Sequence, residues 1–310
     1  MDLALAEWRA RAADRSVRIA RPHRLPPGAV RALGPMDDGW PSVLDGLGTP
    51  PAALFVRGRS EPLPPPHRCL AIIGARRCTA EGRTIARALG AAAARAGLVV
   101  VSGLALGIDA AAQAGAVDEG GLTLGVLASA VDDPTPRANA RLARRIADGG
   151  GWLVSERPPG ARVHAHSFPW RNRIVAALAS ALVVVEAGLP SGTLGTVEWA
   201  LRLGRRVGAV PGSVLSPASA GSNALLTRGA VPITCADDAV GLVSLVRAPE
   251  PVRSPEEEAV WRAVPGASAP VAQWVEGAEL DPPAARAALL GLIARGQLVR
   301  HGALVLRSRL

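Results

Sequence analysis

From Cys69 onward the chain alternates between short, wholly apolar runs that end in glycine turns and stretches patterned as helices of about ten residues. "CLAIIGAR" leads into "TIARALGAAAARAG", "LVVVSGLALGID" into "AAAQAGAVDEG", and "LTLGVLAS" into "PRANARLARRIADGG". The series continues through "GWLVSE", "RNRIVAALAS", "ALVVVEA", "TLGTVEWALRLG" and "RVGAVPG". A strand with no polar face must be covered on both sides, so this pattern predicts a mostly parallel sheet between two helical layers, the doubly wound, Rossmann-like α/β class. Ligands of that class bind beyond the strand C-termini. Four turns fall there, "GARRCTAEG", "SGLALGID", "ASAVDD" and "EAGLPSGTLG", which predicts one site shared by several loops.

The flanks differ. Residues 1–67 are broken by Pro and Gly, with amphipathic pieces such as "LALAEWRARAADR" and a linker-like "EPLPPPH", and read as a short, partly helical N-terminal region. Residues 68–245 form the Rossmann-like domain. After "RAPEPVRSP", residues 246–310 offer two helices, "PEEEAVWRAV" and "DPPAARAALLGLIARG", a short helical piece at "PVAQWVEG", and a terminal hairpin, "QLVRHGALVLRS". Asp281-Pro282 suits an N-cap followed by the first helical position. That order is the order of a winged helix; a small docking or dimerisation domain is the other reading.

Composition narrows the function. All 35 basic residues are arginine, against 26 acids, for a net charge of +9. Without lysine there is no Walker A motif. Residues 68–238 carry 18 arginines against 12 acids, while 1–67 and 239–310 are nearly balanced, so the surplus sits in the α/β domain. The 3 cysteines form no close pair, which argues against a disulfide framework or zinc site and for a reducing compartment. Residues 1–30 lack the apolar centre of a signal peptide and no later run is long and apolar enough to span a membrane, so a cytoplasmic protein is expected.

In "IIGARRCTAEGRTIA", Gly74 ends a strand and Arg76 stands two residues into the turn, where a guanidinium forks onto phosphate oxygens. The next glycine is Gly82, so the dinucleotide fingerprint is incomplete and no nicotinamide or flavin cofactor is expected. "SGLALGID" puts Ser102 and Gly103 at a strand end and Asp109 in the following first turn, as a cap or loop brace ahead of a general base. "FPWRNR" sets Phe168, Arg171 and Arg173 around Asn172. Aromatic and guanidinium planes stack on bases while arginines take phosphates, which suits single-stranded nucleic acid. The alternative has Phe168 in the core and the arginines paired with acids such as Glu186.

In "EAGLPSGTLGTVEWA", Ser191, Gly192 and Thr193 form a phosphate cradle at a helix N-terminus, for a nucleotide or for a nucleic acid. Arg137, Arg141, Arg144 and Arg145 fall on one helix face, a solvated stripe that is unusually one-signed. His164 and His166 flank an alanine, a spacing that suits a surface loop better than a metal site, since no third ligand is evident. Ser–His–Asp order, HExxH and CxxC are absent.

Taken in series, "WPSVLDGLGTPPAALFVRG", "IIGARRCTAEG", "VVVSGLALGID", "FPWRNRIVAALAS", "VVVEAGLPSGTL", "GRRVGAVPGS" and "GSNALLTRGA" resemble the DNA-processing protein A (DprA/Smf) family over roughly residues 39–310. The resemblance implies a non-catalytic, dimeric protein with an extended Rossmann domain that binds single-stranded DNA. It would protect that DNA and help load a RecA-type recombinase during natural transformation. Carried over by motif, Arg76 grips phosphate in a turn shaped by Gly74 and Thr79, Arg171 and Arg173 line the same pocket, and Phe168 meets a base. Ser102, Gly103, Ser191, Gly192 and Thr193 supply donors. The chain departs from the family pattern at Glu81, Gln113, Ala128 and Ala130. A second resemblance, Gly195-Thr196 and Glu198 in "GTVE", is to the LOG and lysine-decarboxylase-like phosphoribohydrolases, which would make Glu198 a catalytic acid on a nucleoside monophosphate.

Overall fold

The computed structural model of the protein describes residues 30–246, 254–264, 268–294, 298–301 and 304–307, in two compact units divided after Val246. The amphipathic stretch near the N-terminus lies outside the described residues.

Among the described residues the first unit is built on a nine-stranded sheet in the order β1-β2-β6-β5-β4-β3-β7-β8-β9, with β1 (Val30–Leu33) and β2 (Leu54–Gly58) at one side and β9 (Val231–Pro232) at the other. Its central strands are β3 (Cys69–Ile73), β4 (Val99–Ser102), β5 (Thr123–Val126), β6 (Trp152–Ser155), β7 (Ala181–Val184) and β8 (Arg206–Ala209), all parallel to one another. Every residue of β3, β4, β5, β6 and β7 is buried, as strands without a polar face require. The chain runs β3 to β6 toward one edge, then returns to lay β7 against the other side of β3 and continues through β8 to β9 (Val231–Pro232). The strand order therefore reverses between β3 and β7, and the crevice above their C-termini is the topological switch point.

Alternate residues of β3 face opposite layers. Cys69, Ala71 and Ile73 pack with α4 (Ser167–Ala177), α5 (Thr193–Arg202) and α6 (Ala220–Leu226). Leu70 and Ile72 pack with α1 (Ala80–Arg95), α2 (Ile108–Asp118) and α7 (Ala236–Val246). On that second side α3 (Ala140–Asp148) sends Ala143, Ile146 and Ala147 against Leu153 of β6. The α1–α2 contact is unusually close. A methyl group at Gly90 would strike the Ala112 carbonyl, and one at Gly115 would strike that of Arg87, so glycine is required at both.

Residues 1–67 read from sequence as a separate, partly helical region. Their described part instead adds β1 (Val30–Leu33) and β2 (Leu54–Gly58) to the same sheet, β2 pairing antiparallel with β6. The short "LFVRG" follows Pro50 and Pro51 and carries no strong local signal; pairing with β6 decides its conformation.

The second unit contains α8 (Pro255–Ala263), β10 (Ser268–Pro270), α9 (Val271–Glu276), α10 (Pro282–Ala294), β11 (Leu298–His301) and β12 (Leu304–Arg307). The strands form an antiparallel sheet in the order β10-β12-β11. Trp274, Val260, Ala285, Leu292 and Val305 are fully buried at its core. Asp281 accepts from the Ala284 N–H and caps α10, with Pro282 at the first helical position. Ser254 and Glu257 close a capping box on α8.

Candidate nucleic-acid interface

A cleft of about 510 Å³ opens at the switch point, lined by the turn after β3, the loop after β4, the start of α4 and the loop from β7 into α5. Gly74 allows the β3 turn to close: a methyl there would stand 2.7 Å from Ile108 and 2.8 Å from the Glu186 carbonyl. The Ala75 N–H donates to that carbonyl, and the Ala75 carbonyl accepts from the Ile108 N–H. Arg76 is thereby held at the cleft mouth, exposed, with its guanidinium 4.7 Å from the centre of the half-buried Phe168 ring. Arg77, also exposed, lines the same mouth.

Thr79 caps α1, its hydroxyl accepting from the Gly82 N–H at 2.9 Å. Its own N–H and hydroxyl donate to the two carboxylate oxygens of Glu186. Thr79 therefore shapes the turn and does not line the cleft. Glu186, considered as a partner for Arg171 or Arg173, belongs to Thr79 instead.

Opposite, α5 starts at Thr193 with no side-chain cap at Gly192, so its first turn presents backbone N–H groups toward the cleft beside Ser191. Ser191 Oγ takes one of these, the Thr193 N–H, at 3.2 Å. Asn172 lines the cleft and accepts from Arg171 Nε at 3.3 Å. Gly103, at the end of β4, also lines it, and its N–H donates to Asp109 at 3.1 Å. Leu104 follows with a left-handed backbone, φ 54°, held by full burial and by Asn139 Nδ2 donating to its carbonyl.

Beneath this rim lie the buried charges. Arg171 is 7% exposed, and Nη1 donates to the carbonyls of Gly103, at 2.7 Å, and Val126. Burial pulls its pKa down to about 10, with Asp109 opposing that shift and Arg76 adding to it. Burial likewise raises Asp109, against the pull of Arg171 and of the N–H groups of Ala105, Gly103 and Gly74. Asp109 is thus a loop brace that ties the turn after β3 to the loop after β4.

The sequence placed Arg171 and Arg173 in one basic pocket. Residues two apart on a helix point to different sides, and "FPWRNR" is already helical, since α4 begins at Ser167. Arg171 forms part of the cleft floor, with Nη1 spent on two carbonyls and Nε on Asn172. Arg173, 1% exposed, faces away and pairs with Glu156 at 2.7 Å, donates to the Thr49 and Trp170 carbonyls, and stacks on Trp170. Ser102, expected to supply a donor to the pocket, does not reach it. It is fully buried, donates to the Ile72 carbonyl at 2.6 Å and does not line the cleft. Of the sequence candidates, Gly74, Arg76, Gly103, Phe168, Arg171, Asn172, Ser191, Gly192 and Thr193 come together, while Thr79, Ser102 and Arg173 support them from behind. Arg77 lines the cleft without having been singled out, and so does the buried Thr196, which the sequence marked only in the phosphoribohydrolase resemblance.

Other candidates fall elsewhere. Glu198 is exposed on α5 and outside the cleft lining, two residues past Thr196, which does line it. Gln113 is fully buried, donating to Thr123 Oγ1, and Ala128 and Ala130 are buried; none of the three lines the cleft. His164 and His166 are exposed and stack on each other at 5.4 Å, and no metal-ligating cluster occurs among the described residues.

Fold and cleft together define a Rossmann-like α/β protein whose binding site lies at the switch point, with a basic mouth and a helix N-terminus as its wall. The sequence profile of the family described as DNA recombination-mediator protein A matches residues 31–244, and this chain belongs to that family. A putative DNA processing protein DprA of Mycobacterium tuberculosis is 40% identical over 260 residues, covering 77% of this chain and 67% of the relative. DNA processing protein DprA of Bacillus subtilis is 38% identical over 199 residues, covering 64% and 66%. DprA of Streptococcus pneumoniae superposes with a TM-score of 0.64 at 36% identity, over 68% of this chain and 73% of that one. DprA of Helicobacter pylori, whose structure is described for its single-stranded DNA binding mode, gives 0.62 at 29% identity, over 70% and 96%. Among the described residues no helix is long and apolar enough to cross a membrane.

Proposed function

We propose that this chain binds single-stranded DNA at the switch-point cleft, shields it, and hands it to a RecA-type recombinase in the cytoplasm during DNA uptake. The observation that carries the reading is Arg76. An exposed guanidinium stacked on Phe168, in the same cleft as the first turn of α5, offers phosphate contacts and a planar surface for a base in one place. Gly74, Gly103 and Gly192 keep the walls low, Ser191, Thr193 and Asn172 supply polar contacts, and Arg171 contributes field from the floor. Membership of the recombination-mediator family and the Helicobacter pylori relative support the same ligand. The chain acts by binding and not by bond cleavage, as a homodimer, with residues 246–310 as a winged helix.

A phosphoribohydrolase would need Glu198 at the substrate, and the exposed position of Glu198 outside the cleft removes the geometry on which that alternative rested.

Titration of labelled single- and double-stranded oligonucleotides at several salt concentrations tests the proposal. Salt-sensitive binding that favours single strands is expected, and Arg76→Ala should weaken it about tenfold for all sequences alike. Equal or absent binding of single strands at low salt would overturn it.

A further inference from the structure

Arg76 borders a second hollow. On its far side a groove of about 790 Å³ runs between α1, α2 and α3, walled by Arg83 and Arg87 from α1 and by Arg141 and Arg145 from α3. Its floor is the alanine face of α2, Ala110, Ala111 and Ala114. The sequence marked Arg137, Arg141, Arg144 and Arg145 as one stripe, but the structure divides it. Arg137 sits in a short 3-10 turn before α3 begins, and with Arg144 it borders a separate hollow beside Arg57, Asp132 and Asp133. Arg141 and Arg145 turn instead toward α1.

Two features make this groove unlike an ordinary solvated face. The first is its charge. Among the described residues no carboxylate lines it, and Asp118 is shared between Arg87 and Arg145, the latter at 2.6 Å. Arg83 and Arg141 are exposed and make no ion pair among the described residues. Guanidiniums gathered this way repel one another, and a polyanion relieves the repulsion while releasing its own counterions. The second is its shape. Gly90 and Gly115 draw α1 and α2 together, so the two arginine rows flank a floor of alanine methyl groups, with Leu106, Asn139 and Leu142 also lining the groove. Within each row the i, i+4 spacing advances about 6 Å along the helix, a step comparable to that between phosphates of an extended strand. The alanine floor offers no hydrogen bonds to base edges, so the groove suits contact with a nucleic-acid backbone, independent of sequence. Leu106, 44% exposed at the groove's edge, gives an apolar surface for a base.

Because Arg76 lines both hollows, the path is continuous. Building on the single-strand reading of the cleft, we infer that the α1–α2–α3 groove carries the next stretch of the same DNA strand, its phosphates on the two arginine rows. The cleft holds a short segment, and the groove sets the direction in which the strand leaves.

The test uses the full chain and oligothymidylates of about 6 and about 20 nucleotides, bracketing the usual site sizes of single-strand grooves. Arg83→Gln with Arg141→Gln removes two exposed charges and no ion pair. The 20-mer should bind about tenfold more weakly at low salt, with its salt slope reduced in size by about 1.4, while the 6-mer binds as before. Ala114→Glu, which places a carboxylate on the floor, should weaken the 20-mer selectively as well. If both variants bind the 20-mer like the unaltered protein, or lose both lengths equally, the groove is not the strand's path; unchanged binding would leave it to an acidic protein surface. If the unaltered protein binds neither length, the single-strand reading itself fails. If it binds the 6-mer and gains nothing from the longer strand, only the groove inference fails.

Discussion

The floor of the cleft and the groove beside it are both furnished with arginine, and they use it in opposite ways. Below the cleft, Arg171 spends Nη1 on two backbone carbonyls, and Arg173 is closed in by Glu156, Trp170 and the Thr49 carbonyl. In the groove, Arg83 and Arg141 face solvent, and Arg87 and Arg145 share a single aspartate. A guanidinium whose donors end on carbonyls or a carboxylate inside the protein is part of the fold, however near the site it stands. One left exposed against its own kind is available to a ligand.

The largest effect that would break this division is on stability. Arg173→Ala removes one member of a buried pair and strands Glu156, whose side chain is 22% exposed, so the unfolding free energy measured in urea should fall by about 3 to 5 kcal/mol. Binding of a short strand by the molecules that remain folded should be retained. Loss of binding without loss of stability would return Arg173 to the ligand. Next in size is Gly103→Ala. The added methyl would strike the Arg171 guanidinium, which can give way only by breaking its bonds to the Gly103 and Val126 carbonyls, so a loss of about 1 to 3 kcal/mol is expected in the same denaturation experiment. A neutral result would mean that Arg171 moves freely and is available to phosphate after all.

The sequence shows the sheet where its strands are buried on both faces, because burial alone dictates such runs; β3 through β7 are of that kind. It hides β1 and β2, whose residues differ little from the loops around them until β6 provides a partner. The site divides in the same manner. Gly74, Arg76 and the Ser191–Thr193 loop are legible because turns at strand ends must face the ligand side of a doubly wound sheet. The fate of Arg171, Asn172 and Arg173 depends on where α4 begins. A helix starting at Ser167 sends neighbouring arginines to different sides, and "SFPW" carries no strong start signal, with no side-chain cap at His166. The groove depends on something less visible still, the approach of α1 to α2 through Gly90 and Gly115, which lie in alanine-rich helices where glycine looks incidental. Arg83, Arg87, Arg141 and Arg145 are separated by more than a whole strand and helix, and only that packing sets them face to face.

The smallest predicted effect is the sharpest test of how the groove differs from the cleft floor. The hydrogen bond from Arg145, with Arg87 adding its charge, holds the Asp118 carboxyl below the usual carboxylate range. Its contribution to the fold is present above the ordinary value and fades as pH falls through the lowered one, so at neutral pH Asp118 is ionised and offsets part of the groove's charge. Asp118→Asn keeps the shape and removes that offset. If the arginine pairs exist for the fold, the substitution weakens the protein and leaves DNA binding alone. If they exist for a strand, the 20-mer should bind about threefold more tightly at low salt, with a steeper salt slope, and the 6-mer should not change. Stability should shift by less than about 1 kcal/mol, since the pairs are exposed and screened. A gain in affinity confined to the longer strand would place the freed charges on the strand's path beyond Arg76. A gain for both lengths would mark them as a general field around the cleft.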